Sequence, residues 1–383
     1  MPHARQIPNI QILRAAAALL VAMHHAQFEA AALALRTGQA FAPSSLLPWA
    51  AGVDVFFVVS GFIIVHAAGA LTAAPGGRSR FLVHRAARVV PLYWLVTALY
   101  LAVALTAPAS VNGTGVGLDP RYVAASFLFW PAARPDGAVL PLYGLGWTLN
   151  CEMAFYLLFA IGLGRGRQAA VAWISGCLSA LVLAGAWFAP SAPALAFWSN
   201  PVMLEFGLGA LIALARGADV RLSRPARTAL ALGALALLAR AGRADAFPEG
   251  FLRPLALGVP AALLVGAAAL GATATDGEPG RRTSPIMSAF AAIGDASYAL
   301  YLVHPFVLRG LNAALARLGL AIAPWTAIAL MLGLSIVAAL LVFRLVERPM
   351  TRLIRARLDA RAGLRENRVC AALPRVSPRR DPH

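Results

Sequence analysis

Several ionisable residues stand inside apolar stretches of this chain: Arg14, His24, His25, Asp54, His66, Glu152, Glu205, Asp295 and His304. Burying a charge in a bilayer costs roughly 2.5–3.5 kcal/mol on insertion scales, so each needs a partner or a chemical task. Pairing between helices accounts for Glu205, His66 and Asp295 as readily as function does. Arg14 and His25 differ by their spacing. Eleven residues of α-helix turn about 20° past three full turns and rise about 16 Å, so both side chains share one stripe, while His24 points about 100° away from His25. That stripe carries a fixed cation toward one end and, toward the other, an imidazole that exchanges protons near neutral pH.

Other residues cluster around this stripe. Asp54, in the segment GlyValAspValPhePheValValSerGlyPhe (52–62), lies near the same end as His25, where a carboxylate would orient the imidazole and stabilise its protonated form. Ser60 lies deeper, and Gly52 and Gly61 permit close helix approach. The segment 146–156 puts Glu152 near mid-depth. The segment 294–305 puts Tyr298 midway and His304 toward the outer face, with Tyr298 and Tyr301 open to either core packing or ligand contact. Arg85 and Arg88 are spaced i, i+3 and present together. Such paired guanidiniums suit a multiply charged phosphate ligand, and equally suit topology-setting charge. The run Glu347-Arg348-Pro349 reads as a helix stop with an ion pair. There is no GxSxG elbow, P-loop, HExxH or CxxC, so any chemistry is expected inside the helices, without a metal.

The elements that must hold these groups follow from composition. Of 383 residues 60% are hydrophobic and only 13% charged, where a soluble chain carries about a quarter. Mean hydropathy is +0.71. This excludes an ordinary soluble enzyme, a disordered chain and a disulfide scaffold. Cys151 and Cys177 read as small core residues, and Cys370 falls in an arginine-rich tail. Apolar runs predict ten spans: 8–28, 52–72, 88–107, 143–163, 169–189, 196–215, 226–241, 253–271, 286–308 and 323–346. The first reads as a retained span rather than a cleavable leader. Residues 120–132 read as an interfacial or re-entrant helix, and Trp130, Trp198 and Trp325 as an aromatic belt. The net charge of +17 comes from arginine alone, with no lysine. Counted by loop with the N-terminus inside, 23 of the 33 arginines fall inside and 8 outside, loop 241–253 being the exception. Topology rather than nucleic acid thus accounts for the charge, and both termini are expected in the cytoplasm. The expected fold is an all-α, polytopic membrane helix bundle, residues 1–350, followed by a basic, disordered cytoplasmic tail, 351–383, held near anionic headgroups.

Taken together, Arg14-x10-His25, residues 52–62, the Arg-x-x-Arg of Arg85 and Arg88, TrpThrLeu-x-x-Glu (147–152), SerTyr-x-LeuTyrLeu-x-His (297–304) and the closing GluArgPro resemble the signature of acyltransferase family 3 over about residues 7–355. The GlyTrpThrLeuAsn-x-Glu form resembles the branch associated with exopolysaccharide production. The resemblance implies a multi-pass enzyme of the bacterial inner membrane. Such an enzyme moves an acyl group, usually acetyl from acetyl-CoA, to hydroxyls of envelope carbohydrates or small molecules, with the lipid bilayer and polysaccharide-assembly proteins as partners. By position His25 matches the family's essential histidine, and Arg14, Arg85 and Arg88 match its arginines. On this reading Arg85 and Arg88, with Arg348, bind the nucleotide end of the donor, and Arg14 lies along its path. His25 is general base or acyl carrier, with Asp54 orienting it and Glu152 binding the acceptor. Ser60, Tyr298, Tyr301 and His304 complete the substrate contacts. The doublet His24-His25 is resolved here by the x10 spacing alone. A proton-coupled secondary transporter and a non-catalytic scaffold are the competing classes; no inverted repeat supports the first.

Overall fold

A computed structural model describes residues 7–69, 76–107, 118–244, 246–271, 284–358 and 360. Among these residues the regular structure is helical, with one isolated bridge between Ala133 and Val139. Thirteen α-helices follow one another: α1 (Pro8–Thr37), α2 (Gly52–Ala67), α3 (Gly77–Thr106), α4 (Pro120–Phe127), α5 (Trp147–Gly162), α6 (Arg167–Phe188), α7 (Pro193–Trp198), α8 (Leu204–Gly217), α9 (Arg224–Gly242), α10 (Val259–Ala269), α11 (Pro285–Asp295), α12 (Ser297–Arg317) and α13 (Pro324–Val342). Among the described residues seven helices are long and apolar enough to cross a membrane: α1, α2 with its lead-in, α3, α5 with its lead-in, α6, α12, and α13 continued to Leu358. Prolines open many of these helices, at Pro8, Pro120, Pro193, Pro285 and Pro324, where the missing N–H costs nothing.

Several sequence expectations change here. The first span runs to Thr37, where Gly38 closes it in the left-handed conformation. The sixth and eighth expected spans are shorter helices, α8 and Pro254–Ala269. The ninth is broken: α11 ends at Asp295 and α12 starts at Ser297, carrying helix on to Arg317. Residues 351–358, expected in the tail, are helical. The rest of the tail, Cys370 and the inside arginines Arg5, Arg281 and Arg282 lie outside the described residues. Residues 120–127 do form a short helix, tied to α3 by Tyr93 Oη and Trp94 Nε1, which donate to Ser126 O (3.0 Å) and Phe127 O (2.8 Å). Cys151 is buried, and Cys177 only partly so.

Small residues set the spacing of the inner helices. Without a hydrophobic drive between helices in lipid, close backbone approach and dispersion hold them together. Ala15, Ala17, Ala18, Ala22, Ala26 and Ala30 of α1 are fully buried. Gly52 packs on α1, where a Cβ would strike the Ala17 carbonyl. Gly61 and Gly209 knit α2 to α8; a Cβ on either would overlap the carbonyl of Phe206 or Val58. Gly61→Val should therefore lower the thermal midpoint of the detergent-solubilised protein, by the 1–3 kcal/mol typical of overpacking or more. Gly176→Ala, at a glycine with open space around it, should leave the midpoint unchanged.

Candidate active site

α1, α2, α3, α5 and α12 line a partly open cavity of ≈ 100 Å³. Seven of the residues singled out from the sequence line it: Arg14, Ser60, Arg85, Arg88, Glu152, Tyr298 and Tyr301. Thr148, Tyr156 and Ser297 join them, with apolar walls from Val53, Phe56, Phe57, Ile63 and Leu149. Five separate helices converge, so linear spacing fixed each contribution but not the assembly.

The guanidinium groups lie near one another, and Arg14 reaches the N-terminus of α12. Arg14, buried on α1, donates to Gln11 Oε1 (2.9 Å) and to Ser297 Oγ (2.8 Å). The Glu347 carboxylate lies near the first turn of α12, and its charge acts on both Arg14 and Arg88. A carboxylate belongs there because the first N–H groups of a helix lack internal partners. A π-helical turn, Phe343–Glu347, carries Glu347 to this place. Such turns insert a residue into the helical phase and recur at functional sites. Glu347 Oε2 has no hydrogen-bond partner among the described residues. Arg85 stacks over Phe81 and Tyr156, 5.7 and 5.9 Å from the ring centroids. Arg88 also lines the cavity, within reach of the Glu347 charge. On the same helix, Pro91 removes the N–H that would bond the Ala87 carbonyl, just past these arginines. Arg348 faces outward and does not reach the cavity; its neighbour Glu347 turns in instead.

Glu152 occupies the middle. Its Oε1 accepts from Ser60 Oγ (2.9 Å) and from the Tyr156 hydroxyl. Tyr298 Oη donates to Val89 O (2.7 Å), tying α12 to α3. Tyr301 Oη donates to Leu145 O (3.2 Å) and accepts from Thr148 Oγ1 (3.1 Å). Tyr301 lines the cavity, and its ring centroid lies 6.3 Å from that of His304.

His25 and His304 lie just past Tyr301, outside the cavity lining. The two rings are 5.1 Å apart, and His304 Nε2 is 3.2 Å from His25 Nδ1. The Arg14–His25 stripe thus faces α12 at both ends, meeting Ser297 with one residue and His304 with the other. His24 instead sets its ring edge-on to Phe28, 4.9 Å away. The expectation that His304 contacts substrate does not fit its place: it is fully buried, with both ring nitrogens engaged.

Asp54 does not meet His25. Its carboxylate is held by Arg253, Nε to Oδ1 at 2.8 Å and Nη2 to Oδ2 at 3.3 Å, and it is fully buried. The guanidinium of Arg253 lies over Trp147 (5.6 Å) and Phe247 (5.4 Å). Glu205, also fully buried, lies beside Asp54 and packs on Gly258. His66 stacks on Phe62 and stays apart from the cavity lining. Sequence reasoning missed Arg253 and the inward turn of Glu347. The signal for Arg253 was there: it belongs to the one loop that broke the arginine distribution, and its charge is answered by Asp54. No group of three or more His, Cys, Asp or Glu fit to hold a metal exists among the described residues.

Residues 7–344 match the family model described as an acyltransferase domain. The chain is 35% identical to the exopolysaccharide production protein ExoZ of Rhizobium meliloti (strain 1021) over 321 residues, 80% of this chain and 91% of that one. It is 31% identical to the acyltransferase MdmB of Streptomyces mycarofaciens over 383 aligned positions, 92% of this chain and 94% of that one. No solved structure matches it.

Proposed function

The chain belongs to acyltransferase family 3 and is an acyltransferase, and from that premise we propose that it is an inner-membrane O-acetyltransferase acting between cytoplasmic acetyl-CoA and a hydroxyl of an exopolysaccharide or other envelope carbohydrate. The observation that carries this reading is a cavity lined by three guanidiniums with, outside its lining and beyond Tyr301, the His304–His25 pair, whose His25 Nε2 has no hydrogen-bond partner among the described residues. Arg85 and Arg88 take the donor's phosphates, since their forks match phosphate oxygens in bidentate fashion. Arg14 lies along the path of the pantetheine arm. The relative named for exopolysaccharide production supports a carbohydrate acceptor. In this reading α8, α9 and α10 join the seven long helices to make ten crossings, with both termini cytoplasmic.

The transfer balances as follows. The acceptor oxygen attacks the thioester carbonyl carbon while His25 Nε2 takes the hydroxyl proton. The tetrahedral oxyanion collapses, the C–S bond breaks, and the departing thiolate takes the proton from His25. The products are an acetyl ester and free coenzyme A. A covalent acetyl-histidine would use the same nitrogen lone pair.

The test uses purified protein in lipid nanodiscs with labelled acetyl-CoA and extracted polysaccharide. Label in the polysaccharide and equimolar free coenzyme A are expected; a transporter would give neither. Arg88→Gln should raise KM for acetyl-CoA by about 10–100-fold, the worth of one charge-assisted hydrogen bond of about 1.5–3 kcal/mol. The acceptor KM should stay unchanged. An unaltered donor KM in both Arg85→Gln and Arg88→Gln would remove the phosphate assignment.

A further inference from the structure

The contact between the two histidines carries one step more, resting on the reading of His25 as the reactive base. We propose that His304 is a positioning residue that fixes His25 in its Nδ1–H tautomer and so keeps Nε2 as the reacting nitrogen. Hydrogen-bond logic leads there. His304 Nδ1 lies 2.9 Å from Leu300 O. Carbonyls only accept, so Nδ1 of His304 carries a proton, and in the neutral ring Nε2 is then an acceptor. That acceptor faces His25 Nδ1 at 3.2 Å, and Val21 O faces the same nitrogen at 2.9 Å. Two acceptors converge on one nitrogen, so it must be the donor. The opposite tautomer of His25 would set three lone pairs against one another. A doubly protonated His304 would require His25 Nδ1 to accept, against the Val21 carbonyl. His25 Nε2 has no partner among the described residues and stays free to take a proton.

The sequence builds this support locally. The imidazole of His304 turns back to the Leu300 carbonyl, one turn before it in α12, which fixes its own tautomer. When His25 takes the acceptor's proton, its Nδ1–H becomes a charge-assisted donor to His304 and Val21, so the support strengthens as the reaction proceeds. His304 therefore fills the orienting role that the sequence suggested for Asp54.

Kinetics of the nanodisc enzyme test this. His304→Leu should lower kcat on the order of 10²-fold, between the effect of losing an orienting partner and that of a wrong tautomer. KM for acetyl-CoA and acceptor should stay within about twofold. His304→Gln keeps a carbonyl able to accept from His25 Nδ1–H and should recover at least tenfold of the loss. In a His25→Ala background His304→Leu should cost nothing further. If His304→Leu does not insert, His304→Asn, too short to reach His25, is judged by the same measures. An unchanged kcat, a loss that Gln does not relieve, or a further loss in the His25→Ala background overturns the positioning role. Full activity in His25→Ala itself would instead overturn the underlying reading of His25.

Discussion

Replacing His25 with Ala is expected to lower acyl transfer by about 10²–10⁴-fold, the usual contribution of a positioned general base. The nitrogen argued to react has no protein partner, while the other is fixed by Val21 and His304. Loss of the ring removes the base and leaves binding intact, so kcat should fall with little change in either KM. Transfer of labelled acetyl to polysaccharide, at matched protein levels in the membrane, measures it. His24→Ala is the control within the doublet. Its ring packs against Phe28 rather than α12, so its rate should stay within about twofold of wild type. Equal rates for His25→Ala and wild type would exclude the mechanism, and a loss confined to His24→Ala would shift it by one residue.

Arg253→Met should destabilise the protein by about 3–5 kcal/mol, the cost of removing one partner from a buried ion pair. Asp54 is fully buried and held at two points by this guanidinium, and Glu205 stands fully buried beside it. Without Arg253 two carboxylates share a site with no cation. Thermal unfolding in nanodiscs measures the effect. The double variant Arg253→Met/Asp54→Asn should recover much of it, because a neutral, well-packed replacement of a buried pair is often tolerated. A single variant as stable as the parent would show the pair to be dispensable. Because Arg253 also stacks on Trp147, which leads into the cavity-lining turn of α5, some loss of activity should accompany the loss of stability.

The parts of this molecule legible in its sequence are those set by one helix at a time. Arg14 and His25 share a stripe because 3.6 residues make a turn, whatever surrounds them. Arg85 and Arg88 face one way for the same reason. Partners across helices were not legible. Asp54 was expected at the depth of His25, but α2 begins against Ala17, Leu20 and Val21 of α1, so the carboxylate lies more than a turn away from that ring and meets the two-point guanidinium of Arg253 instead. Interruptions of helical phase were hidden as well. The apolar run through Asp295 and Ser297 reads as one span, yet the helix breaks between them. The π-helical turn before Arg348 shifts the phase, so Glu347 rather than Arg348 points inward. Span lengths failed for a related reason, since hydropathy does not mark where a 14-residue helix such as α8 stops.

Tyr301 and Thr148 line the cavity together, and their hydroxyls are joined to each other and to the Leu145 carbonyl. For a protein between two aqueous compartments this is a matter of permeability. A water-filled passage from donor side to acceptor side would conduct protons down the gradient that powers the cell, at every moment the enzyme stood idle. On the proposed topology, a tyrosine held at two points beside the path would help keep the water column discontinuous, and a smaller side chain at position 301 would be felt as leak current as well as lost catalysis.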